Sequence, residues 1–427
     1  MWLYLLGFLQ FIVIAFICYY EFKLKSPIVF LWATLFVMFG IMHLIASFNG
    51  DISYPDIVLL KASLFVLFFC ILYIFMRFIL VKLIHENRYN ILKFNTLQEK
   101  CINESFNLNF YLILLFTVIV FKIYPYAKNS GGLLATSWGA GREYASTLSY
   151  FNMNQVLTII YYCLSGLAIC SFLRNKKIST ILILSLFTIT VIISRNRIEI
   201  LPVFISLLSV FIFKCKKINF RTIIFVLISM VTVIYVVYGL RVFRHYGSLY
   251  EFIQNFEFND FLNKVNIYIT TDNGELGLRR VFYYFIYNNN NFDNFGKAHS
   301  YIRMMLVFVP TKWSFGIKPP DFAQSMGAAI GMEQGGSTHP TLFGDCYANL
   351  GWFGILLGVF WAFYASIFDY ILLKRKRKNY LVLLYSLFAV GNVIIGRGSV
   401  YNGFVYIAYG TIIILVLDHL SCVKLKN

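Results

Sequence analysis

Runs of about twenty apolar residues recur from one end of this chain to the other, and no other feature limits its fold so strongly. In hydrocarbon every backbone N–H and C=O must find a partner inside its own segment, so such runs form helices. Composition agrees. Of 427 residues, 59% are apolar and 13% charged, too little charge to cover a soluble protein of this size. The runs predict an all-α polytopic membrane protein with about 11 transmembrane helices. The expected spans are 1–20, 27–47, 57–81, 108–124, 151–173, 178–194, 198–213, 222–240, 345–369, 380–395 and 401–420. No charge precedes the first run, and Cys18-Tyr19-Tyr20 is not a small-residue cleavage site, so it reads as a span and not a leader. No linker-like tract divides the chain, which predicts one integral-membrane domain over 1–427 with a large outward excursion at 241–345.

The formal net charge of +18 does not point to nucleic acid, because basic loops on one membrane face account for much of it. One set of loops holds Lys23, Lys25, Lys82, Arg88, Lys93, Lys100, Arg174, Lys176, Lys177, Lys214, Lys216, Lys217, Arg221, 374–378, Lys424 and Lys426. Fifteen of those twenty are Lys, and this face is expected to be cytoplasmic. The opposite face still carries fourteen basic residues, nine of them Arg: Arg142, Arg195, Arg197, Arg241, Arg244, Arg279, Arg280, Arg303 and Arg397. Topology is served equally by Lys and Arg. The planar guanidinium, unlike ammonium, grips phosphate or carboxylate at two points. The outward arginines therefore predict an anionic ligand. The competing reading has them reaching lipid headgroups or pairing with Glu143, Glu199, Asp272 and Glu275.

The stretch from Gly335 to Gly351 concentrates polar groups where the chain re-enters the apolar region. His339 is a candidate general base, since imidazole titrates near neutrality. Asp345 is a candidate orienting group or base, with Asn349 on the same helical face. A helix cap is the plainer reading of Asp345. Gly327, Gly331, Gly335 and Gly336 suggest a loop able to close over substrate. An amphipathic helix is expected over 276–287, before an Asn run at 288–291. Its cluster of Phe282, Tyr283, Tyr284, Phe285 and Tyr287 could stack on sugars, although an interfacial aromatic belt is favoured. No metal or other cofactor is expected. The six histidines have no ligand spacing, no DxD pair exists to hold a cation on a diphosphate, and the eight scattered cysteines read as packing residues.

Five segments now carry a resemblance: Ser194-Arg195-Asn196-Arg197; Gly239 to Gly247; Val307-Phe308-Val309-Pro310 with Lys318-Pro319-Pro320-Asp321; Gly336 to Gly351; and Gly396-Arg397-Gly398. In order and spacing, over roughly 190–400, the chain resembles bacterial O-antigen polymerases of the Wzy type. The resemblance implies a GT-C-like fold in the inner membrane and an active site facing the periplasm. It implies a metal-independent glycosyltransferase whose donor is a glycan on undecaprenyl diphosphate, passed to an incoming lipid-linked repeat unit. It further implies a chain-length co-polymerase as partner and no role for nucleic acid. It gives Arg195, Arg197, Arg241, Arg244 and Arg397 the task of holding diphosphate, with Arg279, Arg280 and Arg303 as additional candidates, and it favours His339 as the base. An O-antigen ligase would use the same donor. A flippase or ion-coupled carrier should place charges at mid-span, where Arg77 is the sole candidate noted, and near a cytoplasmic end. A purely structural subunit would leave the outward arginines without a purpose.

Overall fold

The computed structural model describes residues 2–85, 108–129, 132, 133, 135, 136, 151–215, 220–271, 274, 276–290, 298–330, 338–374 and 380–423. Among these the regular structure is helical throughout. Nine described helices are long and apolar enough to cross a membrane: Trp2–Leu24, Val29–Asn49, Asp56–Leu83, Leu108–Lys128, Asn154–Leu173, Lys177–Ser194, Thr341–Leu372, Tyr380–Arg397 and Val400–Leu417. Each falls on an expected run. The expected span at 198–213 becomes a 3-10 turn, Arg197–Ile200, followed by the 14-residue helix Leu201–Lys214. At 1.5 Å per residue that helix covers roughly 21 Å, less than the hydrocarbon core of about 30 Å. The run at 222–240 lies in the 24-residue helix Phe220–Phe243. Arg142, Glu143, Asp272, Glu275, Lys297, Gly331, Gly335, Gly336, Ser337 and the basic segments at 88–100, 216–217, 375–378 and 424–426 lie outside the described residues.

The chain divides into two compact units. The first holds residues 1–91, 274–374 and 388–408, and the second holds 92–273, 375–387 and 409–427. The excursion at 241–345 is thus shared between them. Its described residues include helices Leu249–Gln254, Phe258–Thr270, Arg279–Tyr287, His299–Met305 and Phe322–Ala329.

In the first unit, helix Asp56–His85 packs along helix Leu357–Lys374. Gly358 permits the approach, because a Cβ there would stand 2.5 Å from the Phe69 carbonyl oxygen. Small residues play this part where apolar lipid gives helices little reason to associate. Helix Val29–Asn49 contains a π-helical turn, Phe36–Ile41, that carries Phe39 onto Phe343 (4.9 Å) and Phe282 (5.8 Å). The amphipathic segment at 276–287 forms as Leu276–Leu278 and Arg279–Tyr287, but its destination differs from expectation. Phe282, Tyr283 and Phe285 are core residues packed on helices Asp56–His85 and Thr341–Leu350, not an interfacial belt. Tyr283 also donates to or accepts from His43 Nδ1 at 2.5 Å, while Ser63 meets His43 Nε2 at 2.6 Å.

A charged cluster closes the other end of this core. Arg77 makes a two-point contact with Glu21, Nε and Nη2 each at 2.9 Å, and also binds Asp369 and Ser366. Tyr73 donates to Glu21 at 2.7 Å and Ser26 to Asp369 at 2.7 Å. All three charged side chains are fully buried. Arg77 is therefore not solitary; it ties helix Trp2–Leu24 to two others.

In the second unit, the run at 151–173 breaks into helices Phe151–Cys163 and Gly166–Leu173. The Ser165 carbonyl released by the break accepts the Ser206 hydroxyl at 2.8 Å, as burial in an apolar setting requires. Lys122 pairs with Glu199 at 3.0 Å, and Ser194 donates to the same carboxylate at 2.8 Å. The apolar surface of both units includes Phe75 (64% exposed) and Ile113 (68%), suited to lipid and not to water.

Candidate functional site

The second unit gathers four of the candidate arginines. Helix Phe220–Phe243 ends in Arg241 and Phe243, and one further turn brings Arg244 and His245. Ser248 then caps helix Leu249–Gln254, its hydroxyl accepting the Glu251 N–H at 2.9 Å. Glu251 reaches back to the Gly247 N–H at 2.7 Å, which fixes the turn. Helix Phe258–Thr270 packs against Phe220–Phe243 and supplies Lys264 and Tyr268. Between them lies a cavity of about 460 Å³ lined by Val242, His245, Tyr246, Glu251, Lys264 and Tyr268.

The cavity is lined by charges of both signs, Lys264 and Glu251, and arginines stand near its histidine. Arg241 stacks on Tyr268 with Cζ 4.4 Å from the ring centroid, and the Tyr268 hydroxyl meets His245 Nε2 at 3.1 Å. Partial burial holds His245 below its ordinary value of 6.5, and the charges of Arg241, Arg244 and Arg197 push it further down. Three guanidinium groups thus act on one imidazole at the cavity's edge. Lys264 lies 2.7 Å from Asp260, an exposed pair that solvent screens.

Arg195 does a different job. It sits at φ 52° at the end of helix Lys177–Ser194 with its side chain buried. One Nη donates to the Tyr246 carbonyl and the other to the Thr136 carbonyl at 2.7 Å, and the group lies 4.9 Å from the Phe243 ring centroid. Burial lowers its pKa, with Glu251 acting in the opposite sense. Arg195 anchors the Tyr246 turn at the cavity; Arg241, Arg244 and Arg197 act electrostatically on its histidine. Arg195 is not paired with Glu199: its guanidinium donates to backbone carbonyls, and Glu199 is held by Lys122 and Ser194.

The first unit brings together a second set. Thr341, at φ 64°, opens helix Thr341–Leu350, and its N–H donates to the Gly398 carbonyl at 2.9 Å. Asp345 is fully buried. It accepts the Val400 N–H at 3.2 Å and the Asn349 amide at 2.8 Å. The expected shared face of Asp345 and Asn349 is present, and the carboxylate caps helix Val400–Val423, a partner far away in sequence. Asn349 also binds Ser300, whose N–H donates to its Oδ1 at 3.0 Å. His339 is half-buried beside the turn: a Cβ added at Gly398 would lie 3.9 Å from its Nδ1. Asp345 therefore shapes the Arg397-Gly398-Ser399 turn, while His339 borders it.

Arg303 and Lys318 share one aromatic ring here. Their cationic groups lie 4.4 and 5.9 Å from the Tyr401 centroid. Arg303 donates to the Pro319 carbonyl and Lys318 to the Val309 carbonyl at 2.7 Å. Burial holds Lys318 below its ordinary value, and the charge of Arg303 adds to this. Arg279 and Arg280 are committed elsewhere, both to Asp51, at 3.5 and 3.2 Å. Arg279 also donates to the Leu276 carbonyl at 2.8 Å and is 3% exposed. These two are held by a carboxylate, the outcome weighed against ligand binding for the outward arginines. Among the described residues no three His, Cys, Asp or Glu side chains form a cluster suited to a metal ion.

Sequence reading missed His245 as a cavity residue, Glu21 and Asp369 as partners of Arg77, and Asp51 as the partner of Arg279 and Arg280. The first had a signal: it follows Arg241 and Arg244 within one helical turn. No protein family, curated protein or solved structure matches the chain.

Proposed function

We propose that this protein is an O-antigen polymerase of the bacterial inner membrane. It moves a growing glycan from undecaprenyl diphosphate to an incoming lipid-linked repeat unit on the periplasmic side, with a chain-length co-polymerase as partner. What supports the reading is the electrostatic convergence of Arg241, Arg244 and Arg197 on His245, a residue lining one cavity, with Arg195 holding the adjacent Tyr246 turn. Glycosyl transfer breaks the bond between the anomeric carbon and the diphosphate, and negative charge builds on the departing oxygen. Fixed guanidinium groups in a partly desolvated cavity stabilise that charge more than the ground state, which is what accelerates the step. The acceptor hydroxyl loses its proton as the new bond forms. His245, whose pKa is held below 6.5 first by partial burial and then by its cationic neighbours, lines the same cavity and can receive that proton. His339, which the resemblance favours, belongs to the first unit's cluster. Comparing His245→Gln with His339→Gln decides between them.

Loss of the gene should leave lipopolysaccharide bearing a single repeat, with no ladder on a gel. A ladder of normal length would refute the polymerase reading. Loss of the single repeat as well would favour a ligase or a flippase.

Proton linkage offers a second check. His245 has a lowered pKa in the free protein, and a bound diphosphate favours its charged form. Binding therefore takes up a proton. Affinity for inorganic pyrophosphate should rise as pH falls from neutrality through the region below 6.5, the ordinary histidine value. Titration calorimetry at several pH values reads this, and His245→Gln should flatten the dependence.

A further inference from the structure

The segment between the two proline motifs of the first unit forms a compact knob with an apolar tip. Its base is closed by the Lys318 ammonium on the Val309 carbonyl at 2.7 Å and by Arg303 on the Pro319 carbonyl. Inside it, Trp313 N–H donates to Pro310, Ser314 Oγ to Thr311 at 2.7 Å, and Ile317 N–H to Ser314 at 2.8 Å. Ser314 and Lys318 are buried, so these two polar side chains point inward. The apolar ones point outward: Phe315 is 93% exposed, Met305 79%, Trp313 73% and Ile317 67%. Phe315 and Gly316 adopt φ 49° and 79°, a left-handed pair that an aromatic residue rarely joins. Backbone strain is thus accepted where it presents a phenyl ring to the outside.

None of these residues belongs to a membrane-spanning helix. A rigid turn that displays Trp, Phe, Ile and Met together is costly in water, and soluble surfaces seldom carry such a patch. Its chemistry fits one setting closely. Trp concentrates at the boundary between headgroups and acyl chains, and a neighbouring Lys reaches anionic headgroups. Lys312, exposed and adjacent to Trp313, supplies that cation. We infer that residues 305–317 form an interfacial anchor, in which Trp313, Phe315 and Ile317 enter the outer edge of the bilayer and Lys312 contacts anionic lipid. The anchor fixes the depth of the Lys318-Pro319 segment, and with it Arg303 and Tyr401, at the level of lipid headgroups. This inference stands on exposure and backbone geometry and does not depend on the reaction proposed above.

The test uses the full-length protein in vesicles of phosphatidylcholine and phosphatidylglycerol whose acyl chains carry bromine just below the headgroup. Subtracting the emission of the Trp313→Phe variant isolates Trp313. That component should be quenched by about twofold relative to unbrominated vesicles and shielded from aqueous iodide. Quenching by iodide with no response to bromine overturns the inference. Shielding that arises only when other membrane proteins are added also overturns it, and assigns the knob to a protein partner. Phe315→Trp in the Trp313→Phe background repeats the measurement from a second position and must give the same result.

Discussion

Arg241→Ala or Arg244→Ala is expected to abolish the lipopolysaccharide ladder while the protein remains in the membrane at normal levels. The expectation rests on where the two side chains lie. Arg241 is spread over the Tyr268 ring beside the cavity, and both arginines act electrostatically on His245. Their loss removes charge beside the cavity proposed to take the diphosphate and leaves the packing of helix Phe220–Phe243 on Phe258–Thr270 in place. Removing one preorganised donor from a developing oxyanion costs about 10²- to 10³-fold in rate. Arg241→Lys should not restore the ladder, because ammonium lacks both the two-point fork and the planar stacking face. Arg195→Ala should also lose the ladder, but with less protein, since it frees the Thr136 and Tyr246 carbonyls. A normal ladder in the Arg241 and Arg244 variants would remove the cavity from the reaction.

The second large effect concerns stability. Arg77→Ala leaves the Glu21 and Asp369 carboxylates buried without their cation. Breaking a buried ion network from one side costs about 3–5 kcal/mol, enough to empty the membrane of folded protein. Replacing the whole network with neutral groups of similar shape, Glu21→Gln with Arg77→Met and Asp369→Asn, should recover most of the loss, because no charge is then stranded. Thermal unfolding in detergent and membrane abundance read both variants. If Arg77→Ala melts with the wild type, the network contributes nothing to the fold.

Much of the architecture is legible in hydropathy, because a helix in lipid needs length and apolarity and little else. The run at 178–194 becomes Lys177–Ser194, and that at 380–395 becomes Tyr380–Arg397. Boundaries slip where local chemistry intervenes. The run at 345–369 begins earlier, at Thr341, and passes through a 3-10 stretch, Gly351–Leu356, entered by Gly351 at φ 55°. The 198–213 run is shortened by the turn around Asn196 and by Pro202 at the helix start.

Local relations at the candidate sites were equally readable. Asp345 and Asn349 are one helical turn apart, and they bond. The period of Phe282, Phe285 and Ile286 defines an apolar face, yet periodicity cannot say whether that face meets lipid or protein; it meets protein. Partners distant in sequence left no mark. Asp51 takes Arg279 and Arg280 from more than two hundred residues away, and Val400 finds Asp345 across fifty-five. Arg77 interrupts an apolar run, and Glu21 and Asp369 stand at the ends of two others, a sign that buried charges must find one another. Only the fold shows which ones do.

The most direct test of the account is turnover by the purified protein in lipid nanodiscs, supplied with undecaprenyl-diphosphate-linked repeat units and a chelator of divalent cations. The account predicts longer lipid-linked glycans and free undecaprenyl diphosphate released in equal amount, both lost in Arg241→Ala. Intact substrate after incubation with folded wild-type protein, or substrate moved across the bilayer with no new glycosidic bond, would contradict it.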